Sequence, residues 1–480
     1  MRPRRHQLRS LPGPDRRPPA AALLLTLALA ACGTEPATPG ADPTATAATP
    51  DPRPNLVLVL VDDLGPEGYG PYGGTLGPTP ALDRLAAEGV RFTDAHTTPL
   101  CTPTRVRLMT GRSGPRAYTG FRTLAPSERT FAHQLQDAGY ATWVAGKWQL
   151  AGRRGPVASG LSGSRPEEAG FERWCLWQVE ELGSRYADPT LEVDGESVVL
   201  EGRYGPDVVV ETALAWLAEP RDRPFLLYYP MILPHDPFEP TPRSLEARAD
   251  EDPQVAARLA AETDEERAQR HFADMAAYVD HNVGRLLDGL DAAGIADDTL
   301  VVVTSDNGTS RLMPVVVDGV PMVGSKAQTH ELGTKMPLLL RWPGVVAPGT
   351  TMDRPVDLMD LMPTLVEAGG AALPDDRVID GLSLVPHLTT GAAWPREVLA
   401  MEYDPYPGVP GRVRHRFARG LGLKLYDDGR VFRTAEDPRE FEALAEADLT
   451  EAERESLPRL RAALAALPPR PPAPAGSSER

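Results

Sequence analysis

Asn55-Leu56-Val57-Leu58-Val59-Leu60-Val61-Asp62-Asp63 is the stretch on which the fold turns. From Leu56 to Val61 every position is aliphatic, with no polar residue at alternate sites. A strand wetted on one side would alternate, so this run marks a strand covered on both faces, as in a parallel sheet packed between helices. Working outward, residues 80–89 read as a helix, with Thr79 as N-cap, Pro80 in the first turn and Gly89 as terminator. Residues 130–139 repeat that logic behind Thr130, and residues 140–145 read as the next strand. A helix over 205–218, a strand over 224–233, a long helix over 265–294 and strands over 299–304 and 335–342 come next, then a helix over 356–368. This alternation predicts an α/β fold with a large mixed, mostly parallel sheet sandwiched by helices. Beyond residue 390 the segments shorten and end in a helix over 451–467, which predicts a smaller C-terminal α+β subdomain.

The 480 residues suffice for one large domain over 54–389 and a smaller one over 390–467. A formal charge of −17 argues against a nucleic-acid partner, because no basic stripe is present to neutralise phosphates. It leaves room for a small anionic substrate, which a local Lys/Arg cluster can hold. Residues 1–17 carry six Arg and one Asp, and an apolar run over 19–31 leads into Cys32. That run falls short of the roughly 20 residues that a spanning helix needs. Leu29-Ala30-Ala31-Cys32 resembles a bacterial lipobox, which implies a lipoprotein-type signal peptide over 1–31 and a lipid on Cys32. Residues 32–53, rich in Gly, Thr, Pro and Ala, then form a flexible tether, and 468–480 a disordered tail. The expected location is exported: a membrane-anchored lipoprotein of the periplasm or cell surface. Cys101 and Cys175 remain, and the plainest reading in an oxidising compartment joins them as a disulfide. The surroundings of Cys101 favour chemistry instead.

In open α/β sheets, ligands sit beyond the carboxyl ends of the strands. The first strand runs into Asp62-Asp63, the strand at 299–304 into Ser305-Asp306-Asn307-Gly308, the one at 140–145 into Gly146-Lys147-Trp148-Gln149, and the one at 224–233 into Pro234-His235-Asp236. Singly, an Asp pair or an Asp-Asn-Gly is an ordinary turn. Together, Asp62, Asp63, Asp306 and Asn307 would repel unless a cation joined them, and an all-oxygen set suits Ca²⁺ or Mg²⁺. With no His or Cys in that set, zinc is disfavoured. Cys101-Thr102-Pro103-Thr104-Arg105 opens a short helix that Gly111 should end. Its start offers free N–H groups and the positive end of the helix dipole, and Arg105 adds a planar fork suited to a tetrahedral oxyanion.

Leu60-Val61-Asp62-Asp63-Leu64-Gly65, Cys101-Thr102-Pro103-Thr104-Arg105 with Thr110-Gly111-Arg112, Gly146-Lys147-Trp148 and Ser305-Asp306-Asn307-Gly308 resemble, in that order, the type I sulfatase family of the alkaline-phosphatase-like superfamily. The resemblance spans roughly residues 54–440 and includes Arg341-Trp342-Pro343-Gly344. It implies that a formylglycine-generating or equivalent maturation enzyme oxidises Cys101 to formylglycine, whose hydrate is the nucleophile. It implies that Asp62, Asp63, Asp306 and Asn307 hold Ca²⁺ together with residue 101. It further implies that Arg105, Lys147 and Lys326 bind the sulfate oxygens of a sulfated small molecule or glycan, with His235 and Lys326 assisting the leaving alcohol. One position departs: where the family carries a His two residues after the motif lysine, this chain has Gln149, an amide that can hydrogen-bond but cannot act as a base near neutral pH. Among the other histidines, His330 follows Lys326 most closely. Two other readings stand beside the sulfatase: a phosphonate or phosphate monoester hydrolase of the same superfamily, and a non-catalytic lipoprotein that binds sulfated glycans.

Overall fold

The aliphatic run forms strand β1 (Asn55–Val61), buried at every position. It belongs to a computed structural model that describes residues 51–152, 162–180, 182–249, 252–317, 319–407, 409, 412 and 414–469. The expected signal peptide, Cys32, most of the tether and most of the C-terminal tail lie outside the described residues. Seven further strands come after β1 in the first part of the chain: β2 (Val90–His96), β3 (Ala141–Lys147), β4 (Arg173–Trp177), β5 (Thr190–Val193), β6 (Glu196–Val199), β7 (Phe225–Pro230) and β8 (Thr299–Ser305). A hairpin, β9 (Pro314–Val317) and β10 (Val320–Val323), precedes β11 (Lys335–Arg341), β12 (Thr350–Met352) and β13 (Val356–Asp357). All but the hairpin join one eleven-stranded sheet, ordered β12-β2-β11-β8-β1-β7-β3-β4-β5-β6, with β13 also on β2.

The central five strands, β8-β1-β7-β3-β4, are mutually parallel, so their carboxyl ends share one edge. Antiparallel β11 and the β4-β5-β6 meander make the sheet mixed. Successive residues of β1 serve opposite cores. Leu56, Leu58 and Leu60 pack in the cluster that includes Val106, Phe131 and Leu361. Val57, Val59 and Val61 pack with Leu82, Val210 and Val279. Each such side chain contributes roughly 1.5–3 kcal/mol over leaving it exposed, which is why a doubly covered strand has no polar position to spare.

The helices are α1 (Pro80–Glu88), α2 (Cys101–Thr110), α3 (Phe131–Asp137), α4 (Gly205–Ala218), α5 (Asp264–Ala292), α6 (Leu361–Ala368) and α7 (Glu451–Ala466), besides several short ones. Two expectations need correction. Thr79 does not cap α1, because its hydroxyl accepts from the Gly70 N–H at 2.9 Å. The first N–H groups of α1 go instead to the Asp280 carboxylate of α5, as at Leu82 N (2.9 Å). Residues 356–368 are not one helix: Val356 and Asp357 pair with Ala95 and His96 of β2, and Asp357 then caps a short turn that leads into α6.

Towards the C-terminus, β14 (Val398–Tyr403), β15 (His415–Gly420), β16 (Leu423–Tyr426) and β17 (Val431–Arg433) form a four-stranded antiparallel sheet. Leu457 and Leu460 of α7 cover it, packing in a cluster with Ala418, Leu423 and Leu425. Arg419 of β15 ties it to the main sheet by pairing with Asp94 of β2 (2.9 Å) and Glu331 (3.1 Å). Lys424 of β16 reaches the Thr329 carbonyl and Glu440. The segment that carries Lys326 is thus held from the C-terminal sheet.

Candidate active site

The parallel strands deliver their acids and bases to the edge that the sequence predicted. Asp62 and Asp63 follow β1, Asp306 and Asn307 follow β8, Lys147 ends β3, and His235 lies five residues beyond β7. Asp62, Asp63, Lys147, Asp306 and Asn307 are fully buried or nearly so. Lys147 Nζ donates to Asp62 Oδ2 at 2.7 Å. Arg105, one turn into α2, clamps Asp306 Oδ2 with Nε (2.9 Å) and Nη2 (2.8 Å). Lys326 Nζ lies 2.5 Å from Asp63 Oδ2 and 3.1 Å from His235 Nε2. Asn307 Nδ2 donates to Asp63 Oδ1 at 2.8 Å. Cys101 is the first residue of α2, buried, with Sγ 3.8 Å from Gln149 Oε1. Every described residue that the sequence nominated for the site is brought together here; Cys32 lies outside the described residues. Cys101 and Cys175 are free thiols, so the disulfide reading fails.

The local backbone explains the convergence. Gly146 has φ +135°, and a Cβ there would stand 1.8 Å from the Pro230 carbonyl oxygen, so only glycine lets β3 approach β7 as it turns Lys147 inward. Asp63, Gln149 and Gln178 each adopt φ near +60° just after a parallel strand. Non-glycine residues enter this region at a cost, and they do so most at functional edges.

The field of the site follows from burial opposed by cations. Burial alone would raise the Asp62 carboxyl, but Lys147, His235 and Arg105 outweigh it and hold it well below the usual range. Asp63 is likewise held down by Lys326 and His235 against its burial. Asp306 goes the other way, pushed up by burial and by the neighbouring Asp62 carboxylate in spite of Arg105. Burial pushes the Cys101 thiol up even with Lys147 and Lys326 nearby, so the unmodified side chain stays a thiol and is a poor nucleophile.

The donor set suits a hard cation. The buried oxygens Asp62 Oδ1 and Asn307 Oδ1 have no hydrogen-bond partner, an arrangement that costs stability unless another group engages them. Asp62, Asp63 and His235 can bring ligand atoms within 4.8 Å of one another. His235, which the sequence delivers to this edge, comes to the border of the acidic set, with Nε2 3.6 Å from Asp63 Oδ2.

Two contributors escaped the sequence reading. Arg185, between β4 and β5, places Nη1 3.0 Å from His235 Nδ1 and its Cζ 4.0 Å over the Trp177 ring. From the C-terminal sheet, Tyr403 is close enough for the field of Cys101 and Lys326 to act on it. Neither lies in a recognisable motif, and no spacing rule connects them to the strand ends. The charges that act most strongly on His330 are those of Lys424, Arg439, Glu331 and Asp437, none of them a nominated site residue.

The profile of the family described as Sulfatase matches residues 54–371, about two thirds of the chain. The chain belongs to the sulfatase family. A second profile, N-sulphoglucosamine sulphohydrolase, C-terminal, matches residues 325–463 of this sulfatase, the part that contains Lys326 and the four-stranded sheet. The sulfatase is 33% identical to human arylsulfatase A over 412 residues, 77% of this chain and 73% of the relative. It is 27% identical to N-acetylglucosamine-6-O-sulfatase of Bacteroides thetaiotaomicron, covering 81% and 82% of the two chains. A structure solved in complex with its substrate D-glucosamine-2-N,6-O-disulfate superposes with TM-score 0.69 at 25% identity, over 85% of this chain and 97% of the other. The phosphonate monoester hydrolase of Agrobacterium radiobacter shares the fold, with TM-score 0.64 at 21% identity over 86% and 96% of the chains. The sulfatase described here is a sulfuric ester hydrolase with the alkaline-phosphatase-like fold.

Proposed function

We propose that this sulfatase cleaves its esters at a formylglycine made from Cys101 by a maturation enzyme, beside a Ca²⁺ ion held by Asp62, Asp63, Asp306 and Asn307. The observation that carries the reading is the position of Cys101: a buried residue at the start of α2, one turn from Arg105 and within the field of Lys147 and Lys326. A bound cation supplies Lewis acidity and stabilises charge at oxygen. The side chains divide the remaining work by depth. Arg105 and Lys147, both buried, offer donors to the sulfate oxygens, and their charge is worth more in a cleft of low dielectric. Lys326 and His235 are 19% and 16% exposed, at the mouth, where they can pass a proton to the departing alcohol oxygen. Gln149 holds residue 101 by a hydrogen bond without serving as its base.

The enzyme is further proposed to be exported and anchored by a lipid on Cys32, a reading supported by the apolar run that ends there. Loss of fatty-acid labelling on Cys32→Ser supports the anchor, and retained labelling refutes it. The catalytic proposal is tested by the mass of the peptide that contains Cys101. Conversion of the thiol to an aldehyde lowers it by about 18 Da. The modified fraction should track turnover of an aryl sulfate, and Cys101→Ala should abolish it with the fold intact. Full turnover by protein whose Cys101 is wholly unmodified would overturn the proposal. An aryl phosphate serves as the comparison: faster phosphate than sulfate hydrolysis would favour the monoester hydrolase reading.

A further inference from the structure

We propose that Arg185 is a specificity-determining residue that binds a second anionic group, carried on the leaving-group part of the substrate beside the sulfate ester that is cleaved. The inference rests on the reading of the site just given.

Arg185 is held in place without a carboxylate partner among the described residues. Its guanidinium lies over the Trp177 ring with Cζ 4.0 Å from the centroid, a cation–π contact. Trp177 is itself a rigid platform. It is buried, it donates from Nε1 to the Gly183 carbonyl at 2.9 Å, and it sits in register opposite Lys147 on the neighbouring strand. Among the described residues no carboxylate pairs with Arg185. Arg105 differs, since two of its nitrogens engage the Asp306 carboxylate. A guanidinium has five N–H donors and no acceptor. The contact with His235 Nδ1 uses at most one of them. The others form a planar fork without a partner among the described residues, the geometry that recognises an oxyanion.

Two features place that anion on the leaving group. The sulfate being cleaved is matched by the buried cations Arg105 and Lys147, whereas Arg185 adjoins His235 at the partly exposed mouth. Nor is Arg185 needed to orient His235. The Asp236 backbone carbonyl already stands 2.8 Å from Nδ1, and the Asp236 carboxylate lies 3.1 Å from the same nitrogen. A substrate bearing only the scissile sulfate would leave the Arg185 fork to water at the half-buried mouth. One with a neighbouring carboxylate or second sulfate would fill it.

The test uses the formylglycine-loaded full chain and three aryl sulfates: 4-nitrophenyl sulfate, an analogue with a carboxylate ortho to the ester, and one with a second sulfate there. Because the three differ in intrinsic reactivity, each is read as the ratio of wild-type to variant kcat/KM. Arg185→Gln should lower kcat/KM about 10- to 100-fold more for a substrate with the second anion than for 4-nitrophenyl sulfate, as expected for a hydrogen bond to a charged group. Arg185→Lys should fall between the two. Whichever analogue shows the larger ratio identifies the group as carboxylate or sulfate. An equal loss on all three substrates would mean that Arg185 acts only through His235, and no loss on any would mean that it binds nothing; either overturns the proposal. Failure of the loaded wild-type enzyme to turn over all three overturns the sulfatase mechanism, and this inference with it.

Discussion

Replacing Arg107 by Met is expected to loosen the helix on which the reaction centre is built. Arg107 lies on α2 two residues after Arg105, and its Nη2 sits 2.5 Å from Asp357 Oδ2. Both partners are almost wholly buried. Asp357 is fixed in turn by its strand pairing with His96 and by the turn that leads into α6. Methionine keeps most of the buried stem, so little apolar contact is lost. What remains is an interior carboxylate that has lost its paired cation, feels Arg396 only at longer range, and keeps the Met359 N–H, a neutral donor 3.1 Å from Oδ1. Removing one partner of a buried pair costs about 3–5 kcal/mol, while replacing both by neutral groups of similar size is close to neutral. Arg107→Met should therefore lower the unfolding free energy by about 3–5 kcal/mol, and Arg107→Met with Asp357→Asn should recover most of it. Cys101 and Arg105 share the helix, and a displacement of about 1 Å in a reacting group costs on the order of 10²-fold in rate. Activity on an aryl sulfate should fall accordingly in the single variant and return in the double. Urea unfolding followed by tryptophan fluorescence and by far-UV dichroism gives the energies, with agreement of the two probes as the check on two-state behaviour. A single-variant cost below about 1 kcal/mol, or a double variant as damaged as the sum of the two singles, would refute the reasoning.

Gln149→His should raise turnover if proton removal at residue 101 limits the rate, because a positioned base is worth about 10²–10⁴-fold. The left-handed backbone at position 149 (φ 56°) is one that His tolerates, and an unchanged or lower kcat would mean that the pocket is built around the amide. Stability should fall on acidification through the His330 titration. Burial, then Lys424 and Arg439, push His330 down to about 4 from an ordinary 6.5, so between those values the unfolded chain binds the extra proton. That contribution is complete above pH 6.5 and lost by pH 4, at most about 3 kcal/mol. A thermal midpoint measured across this range should drop, and His330→Asn should flatten the drop; an equal slope in the variant would remove His330 as its source.

The doubly covered strand was legible because a strand with helices on both faces can carry no polar alternation, and Leu56 to Val61 carries none. The chemistry was legible for a related reason. A parallel sheet sends all its carboxyl ends to one edge, so the residues just beyond each strand already group Asp62, Lys147, His235 and Asp306. Cys101 and Arg105 were legible as a motif at a helix start. The sequence alone could not supply the contacts set by how loops fold back. Thr79 looks like a cap, yet Asp280, some two hundred residues away, takes the N–H groups of α1. Arg185 and Tyr403 reach the site through a loop between strands and an edge of the second sheet. The distinction is physical. Periodicity and strand ends are properties of local backbone and hydrophobic burial, written in consecutive residues. Partnerships between distant polar groups depend on angles and loop paths fixed only when the two cores close around the sheet.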